Sequence, residues 1–565
     1  MKVLILGGYG VFGGRLTQLL SDVPDLTIFV AGRDKKKATA FCASQEGATR
    51  TEPYALDRRD TAEALKDLQP DLLVDGTGPF QQYGEAPYGV VEACIDAGVN
   101  YLDFADGADF VLGISRFDKP AKKAGIYALS GVSSFPVLTA AVLREFAKTM
   151  DIEKVSGGIA PSPYAGIGLN VMRAVVGYAG APVKLRRDGS NTVGVGLAES
   201  RRFTIAVPGR MPLRNIHFSL VDVPDLQVIP PQHPTMTDIW MGAGPVPEAL
   251  HRALNFLAKV RHLFRLPSLV PFSRLFYSVL NIMRFGEHRG GMFVTAKGCA
   301  NGRLVEQSWH LLAEANDGPL IPSMAIEVLI RKAIAGNQPE VGARPAVNAL
   351  DLSDYDLAFK DRKIFTGIRD DLAHGPIYRT ALGSAFYSLP PQVIELHDSM
   401  TERQWVGTAE ICRGTSLLAK IVAFCLSAPP NGDNTPVTVT FKPDDNGELW
   451  TRNFGGKLFK SHQRLGKEKN AYLIVEKFGP IDVALAPIIE EQRFRLVPRR
   501  WSVFGIPLPK SLLPEGNTFE SQEGGLFKFD VEIAAPLVGL ICSYRGTLRQ
   551  QSQSLAPSQR TKVGK

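Results

Sequence analysis

Gly8, Gly10 and Gly13 sit at the spacing G-x-G-x-x-G in the stretch MKVLILGGYGVFGGRL, and Gly7, Gly10 and Gly13 sit at G-x-x-G-x-x-G in the same stretch. Either spacing suits a turn that closes around a pyrophosphate. Glycine permits the tight bend, lets backbone amides approach the phosphate oxygens, and allows the next helix to lie close to the strand. Tyr9, Val11 and Phe12 fill the remaining positions of that turn. Further on, where an NAD site would carry a carboxylate for the ribose 2′-hydroxyl, the chain reads AGRDKKK. The Arg33 guanidinium there can hold a 2′-phosphate through paired hydrogen bonds, so NADP(H) is favoured over NAD(H), for which Asp34 leaves room. A bound nicotinamide makes hydride transfer the reaction class, and the protein must then supply position and a proton. Tyr83, Asp103, Asp106 and Ser133 are the candidate proton groups, Asp103 and Asp106 foremost as catalytic residues. Each of these two aspartates can equally cap the turn that follows it.

These residues need a scaffold, and the hydrophobic pattern supplies one. KVLIL, LTIFVAGRD, RTEPYALD, PDLLVDGTGPF, VNYLDFAD and GIYALSGV read as strands, alternating with helical stretches such as RLTQLLSDVPD, TAEALKDL and YGEAPYGVVEACIDAG. That alternation predicts a doubly wound parallel sheet over residues 1–135, a Rossmann arrangement with ligands at the carboxyl ends of the strands. Asp57 closes the third strand at that end.

The stretch DGTGPFQQYGEAPYGVVEACIDAGVNYLDFAD closely resembles the saccharopine dehydrogenase-like (saccharopine reductase-like) NADP-binding domain. DGPLIPSMAIEVLIRKAIAGNQPEVGARPAVNALDLSDYDLAF resembles the end of that family's catalytic region, so the similarity spans residues 1–360. The resemblance implies NADP held by Gly8, Gly10, Gly13 and Arg33, with Gly76, Thr77, Gly78 and Pro79 on the nicotinamide side. It also implies an α+β substrate and dimerisation domain at 136–385, whose last helices pack back on the Rossmann domain. Relatives sharing these motifs include oxidoreductase-like proteins associated with lipid and enoyl reductases of lipid assembly. The resemblance therefore extends the possible substrates to imine, enoyl and lipid-like molecules.

In the middle region FTIAVPG, GGMFVTAKGCANG and RLVEQSWHLLAEAND read as strands, the last as half-exposed, and APSPYAGIGLNVMRAVVGYAG leads into a helix bearing Arg173. That arginine either anchors substrate or ends a surface helix. Residues 251–289 carry Arg252, Lys259, Arg261, Arg265, Arg274, Arg284 and Arg289 against the single acid Glu287, interleaved with leucines and phenylalanines. Pro267 and Pro271 split this stretch into two helices. It reads as a peripheral contact with anionic lipid, as a homodimer interface, or as a lid over the substrate.

Prolines near residue 386 open a mainly antiparallel β domain at 386–550, with a hairpin in VTVTFKPDDNGELWTRNF. It resembles a domain of unknown function found behind saccharopine dehydrogenase-like modules, over residues 387–549. Trp405, Trp450, Phe454, Trp501 and Phe529 either enclose an apolar ligand or form a core, and Arg452, Glu476 and Arg493 either converge in a pocket or pair on the surface. The polar tail at 551–565 reads as disordered.

Composition sets the remaining bounds. A net charge of +7 over 565 residues is too mild and too dispersed for a general nucleic-acid binder. The six cysteines show no C-x-x-C pair and the nine histidines no ligand spacing, so no metal site is expected, and free thiols fit the cytoplasm. The apolar start MKVLILGG reads as a first strand rather than a leader, and no stretch is long and apolar enough to span a bilayer. Two functions stand open: an NADP(H)-dependent oxidoreductase acting on a small or lipid-like molecule, and a non-catalytic nucleotide-binding scaffold or sensor whose last domain binds an apolar ligand.

Overall fold

The computed structural model describes residues 1–551 apart from 85, 167, 246, 284 and 372–374. Arg284 and the tail from 552 onward lie outside the described residues. The chain divides into two compact units, Met1–Ile205 with Ile216–Leu372, and Ala206–Asn215 with Ala373–Lys565.

In the first unit β1 (Lys2–Leu6), α1 (Val11–Leu19), β2 (Thr27–Gly32), α2 (Lys35–Ala43), β3 (Arg50–Ala55), α3 (Thr61–Leu68), β4 (Leu72–Asp75), α4 (Gly89–Ala97), β5 (Asn100–Asp103) and β6 (Tyr127–Ser130) follow in turn. The sheet runs β3-β2-β1-β4-β5-β6, all parallel, and Gly342–Pro345 adds a seventh parallel strand beside β6. β4 and β6 are buried at every position, as short apolar strands flanked by helices on both faces require. The order reverses between β1 and β4, which opens a crevice above their carboxyl ends.

A second sheet of seven strands lies in the same unit, in the order Ser200–Phe203, Ile216–Leu220, Asp238–Ala243, Asp151–Ala160, Gly290–Ala300, Arg303–Ala313 and Ile364–Asp370. FTIAVPG departs from its reading as a strand. The ladder ends where Phe203 meets Ile216, and the buried run that follows, 204–207, lies outside the strand. Arg303–Ala313 is half-exposed only in its first part, and from Ser308 onward both of its faces are buried. The helix Ile321–Ile334 packs back on α1. There the Ser323 hydroxyl donates to the Phe12 carbonyl at 3.1 Å, and Arg331 donates to the Leu19 carbonyl at 2.9 Å.

The second unit is a closed barrel of ten antiparallel strands: Arg403–Arg413, Gly432–Asp444, Gly447–Phe454, Lys457–Leu465, Ile474–Phe478, Ile481–Glu490, Arg493–Val503, Phe519–Glu523, Leu526–Ala535 and Gly539–Gln550. Each strand pairs with the next, apart from a two-residue strand, Ile506–Pro507, on one hairpin, and the last pairs with the first. Closure leaves no exposed edge. The helices Ile377–Leu382 and Pro391–His397 belong to this unit.

Candidate functional site

The crevice above β1 and β4 is a groove of about 570 Å³. Tyr9, Gly10, Val11, Phe12, Arg33, Asp57, Gly76, Thr77, Gly78, Pro79 and Asp106 line it, and so does Gly7. Gly7 has φ +72°, the left-handed region that favours glycine, and a Cβ there would stand 2.9 Å from the Gly76 carbonyl oxygen. A Cβ on Gly10 would stand 2.9 Å, and one on Gly13 2.6 Å, from the Gly7 carbonyl oxygen. Gly8 instead faces β2. Its amide donates to the Ala31 carbonyl at 3.0 Å, and a Cβ there would meet the Val30 backbone at 3.0 Å. Of the two glycine spacings, the turn is built on Gly7, Gly10 and Gly13. Gly13 serves the close fit of α1 under the turn and does not line the groove.

At the β2 end the Asp34 carboxylate accepts from the Lys37 amide at 3.2 Å and caps α2, while its own amide donates to the Tyr9 hydroxyl at 3.1 Å. Arg33 beside it is exposed at the groove. The Asp57 carboxyl accepts from the Arg59 side chain at 2.9 Å, which holds it below the usual carboxylate range.

The loop after β4 is pinned from below. Asp75 is fully buried and accepts from the Thr77 amide at 3.0 Å and hydroxyl at 2.6 Å, and from the Tyr83 hydroxyl at 2.6 Å. Burial raises the Asp75 carboxyl, and burial together with that neighbouring acid pushes the Tyr83 phenol far up. Tyr83 lines the groove, and its hydroxyl proton is donated to Asp75 and holds the loop. Phe12 stacks on Phe104 at 5.6 Å, forming an aromatic wall of the groove. From the helix Leu169–Tyr178, Asn170 donates to the Gly78 carbonyl at 2.7 Å, and Arg173 donates to Asn170 at 3.0 Å. Both side chains line the groove.

Asp103 and Asp106 part company. Asp103 is fully buried away from the groove and accepts from the amides of Ala105 at 2.9 Å and Gly131 at 2.7 Å, tying the β5 and β6 loops together. Burial raises its carboxyl to about 7. Asp106 lines the groove, accepts from Gln81 at 3.1 Å and is also raised by burial. Ser133 lines neither the groove nor the cavity described next.

A cavity of about 170 Å³ shares Val11, Phe12, Gly168 and Val171 with the groove. Its walls are mostly apolar, from Ile159, Met292, Leu311 and Ile321 among others. Its polar side chains are Arg15, Ser134, Ser162, His288 and Asn316. Arg15 donates to the Ala165 carbonyl at 2.8 Å, and His288 stacks on Tyr164 at 3.9 Å. No cluster of residues that could hold a metal ion occurs among the described residues.

Residues 3–129 match the family described as the saccharopine dehydrogenase NADP binding domain. The N-terminal domain of this chain belongs to that family. Over 148 residues the chain is 32% identical to carboxyaminopropylagmatine dehydrogenase of Synechocystis, a stretch that is 24% of this chain and 35% of that protein. The chain thus spans about a third of that relative's length. Saccharopine dehydrogenase (L-Glu forming) from Saccharomyces cerevisiae aligns in structure at a TM-score of 0.46 and 13% identity, over 65% of this chain and 99% of that one. An amine dehydrogenase from Mycobacterium smegmatis aligns at 0.31 and 11% identity, over 60% and 94%. Residues 389–548 match a domain of unknown function, DUF4166.

In the barrel Trp450, Phe454, Trp501 and Phe529 line an internal cavity, while Trp405 is buried in the wall. Arg452 and Glu476 meet inside at 3.4 Å, and Arg493 sits apart, over the Phe519 ring.

Proposed function

We propose that the first unit is an NADP(H)-dependent oxidoreductase that moves hydride between a cofactor in the groove and an apolar substrate, lipid-like or bearing an imine or enoyl group, in the adjoining cavity. The observation that carries this reading is the shared wall. Val11 and Phe12 belong both to the glycine turn and to a cavity whose one arginine, Arg15, is engaged with a backbone carbonyl. A charged amino-dicarboxylate would need several arginines converging there; a largely apolar molecule needs walls and one polar group.

The groove suits the cofactor because Gly7, Gly10, Gly76 and Gly78 leave backbone open where Cβ atoms would crowd the turn. Gly10 and the start of α1 would hold the pyrophosphate and Arg33 the 2′-phosphate. When bound, the nicotinamide supplies or accepts hydride. The chain's own part is to orient it through Phe12 and the pinned Thr77–Pro79 loop, to keep water out with the apolar walls, and to place a proton group. His288 faces the cavity for that purpose, with Asp106 on the groove side.

Titration with NADPH, followed by its fluorescence, tests the premise. Arg33→Ala should weaken NADPH binding by about 10- to 100-fold, the loss of one charge-assisted paired contact, and leave NADH binding unchanged. Equal weakening of both coenzymes would remove the 2′-phosphate assignment. Oxidation of bound NADPH by a panel of enoyl and imine lipids then separates an enzyme from a sensor.

The stretch 251–289 contributes a proposed membrane contact. Its helices Glu248–Phe264 and Ser273–Ile282 break at the two prolines. Asn255 donates to the Leu197 carbonyl at 2.8 Å on the inner side, while Phe256, Leu263, Phe264, Phe272, Leu275 and Ile282 are exposed. No helix among the described residues is long and apolar enough to cross a membrane, so this surface would lie on an anionic bilayer. The free cysteines support a cytoplasmic setting. Leu263→Glu with Ile282→Glu should remove most of the protein that floats with anionic vesicles. Unchanged flotation, with a dimer that dissociates in the variant, would assign the surface to self-association.

A further inference from the structure

The barrel of the second unit encloses a cavity of about 340 Å³, within the range of about 300–1,000 Å³ that small-molecule pockets occupy. An eight-stranded barrel is just filled by its own side chains or holds one small ligand, and ten strands leave more room. Alternate residues face inward: Val437, Val439 and Phe441 on one strand, Phe527, Phe529 and Val531 on another.

The charges inside are already matched. Arg452 donates to the Ser461 hydroxyl at 2.9 Å and pairs with Glu476 at 3.4 Å, and Ser461 donates to Glu476 at 2.6 Å. Glu520 is held by His397 at 2.6 Å, and the Tyr378 hydroxyl donates to Gln463 at 2.6 Å. The other acids on the wall, Glu515 and Glu532, are exposed. A carboxylate or phosphate brought into this lumen would meet no uncommitted cation and would lose its hydration.

The two ends of the barrel differ. The helices Ile377–Leu382 and Pro391–His397 close the end that bears Tyr378 and His397, whereas the chain between Arg413 and Gly432 and the turns at 504–505 and 536–538 lie at the other end. The helix Leu417–Cys425 covers that second end, with Val422 against the cavity and Leu417, Ile421 and Phe424 facing out. Phe424 is 83% exposed, and Phe504 and Leu537 on the neighbouring turns are 81% and 88% exposed. An apolar rim around the covered mouth of an apolar lumen is the arrangement expected where a water-insoluble ligand passes between a lipid surface and the protein.

We propose that the barrel binds one uncharged, predominantly apolar molecule of lipid class in its lumen and exchanges it with a lipid bilayer through the rim formed by Phe424, Phe504 and Leu537. This does not depend on turnover in the first unit.

cis-Parinaric acid and its methyl ester share one fluorescent tail and differ by one charge, so they test the assignment in the full-length chain. The ester should saturate at one molecule per chain, and the acid should bind at least about tenfold more weakly, because its charge finds no partner. Tighter or equal binding of the acid overturns the neutral assignment, and no saturable binding of either overturns the lumen. Glu476→Gln keeps an acceptor for Ser461 but removes the counter-charge of Arg452, and should bring the acid toward the affinity of the ester. Val483→Trp fills the lumen and should abolish ester binding while NADPH binding is unchanged; retained ester binding places the ligand elsewhere. If that variant does not fold, photo-crosslinking of the wild-type chain with a diazirine-bearing fatty methyl ester decides the matter. Labels in 432–444 and 526–535 support the lumen, and labels confined to 251–289 overturn it. Phe424→Glu with Leu537→Glu should slow ester uptake from phosphatidylcholine vesicles several-fold at unchanged equilibrium affinity; an unaltered rate removes the rim's role.

Discussion

Gly10→Val is expected to abolish NADPH binding, with the dissociation constant rising at least about 100-fold, while Gly8→Ala should leave it nearly intact. The two glycines are neighbours in the same turn, and the contrast follows from what each faces. Gly10 begins α1 on the groove wall, and any Cβ there starts 2.9 Å from the Gly7 carbonyl, so a branched side chain must either displace the turn or fill the space meant for phosphate. Gly8 faces the Val30 backbone at 3.0 Å, so a methyl group there strains the fit of the turn on β2 and lowers the melting temperature instead. Fluorescence titration beside thermal unfolding separates the two effects. Loss of binding in Gly8→Ala at an unchanged melting temperature would return the motif to the Gly8 spacing.

That distinction was invisible in the sequence, because Gly7 and Gly8 are adjacent and both spacings share Gly10 and Gly13. Only the +72° torsion at Gly7 and the packing beneath Gly8 separate them. The six parallel strands, by contrast, were legible, since buried strands such as LLVD and YALS leave short apolar runs between helical repeats. The seventh, Gly342–Pro345, was not. GARP has little apolar signal, and it lies in the sheet because the chain after Ile321–Ile334 brings it beside β6.

Asp103 shows the limit for site residues. A carboxylate at a strand end reads alike whether it faces a ligand or ties two loops, and the amides of Ala105 and Gly131 decide for the second. Asp75, Asn170 and His288 carry no sequence signal, because their places depend on contacts with Tyr83, Gly78 and Tyr164 that no local pattern encodes. The barrel's strands were readable from their alternation, but the pairing of Arg403–Arg413 with Gly539–Gln550 joins segments more than a hundred residues apart. Closure, and with it the lumen, is a property of topology.

His288→Ala is expected to lower the turnover number for NADPH oxidation by about 10²- to 10⁴-fold, the usual worth of a positioned proton group, at unchanged NADPH affinity. The imidazole lines the apolar cavity and is held flat against Tyr164, so it can reach a substrate without leaving its place. Among the cavity's polar side chains it is the one imidazole, the side chain most often placed to give or take a proton in a reaction. A group that gives or takes the proton also shapes the pH–rate profile, so the profile of the variant should differ from that of the wild type. Asp106→Asn serves as the comparison. Asp106 lines the groove beside Gln81, outside the walls of the smaller cavity, and its loss should raise KM for the cofactor more than it lowers turnover. Asp103→Asn should lower the melting temperature and leave turnover per folded molecule alone, because its carboxylate serves backbone amides away from the groove. If His288→Ala keeps both its turnover and its pH profile while Asp106→Asn loses them, the proton comes from the groove side, and the apolar cavity serves only to seat the substrate.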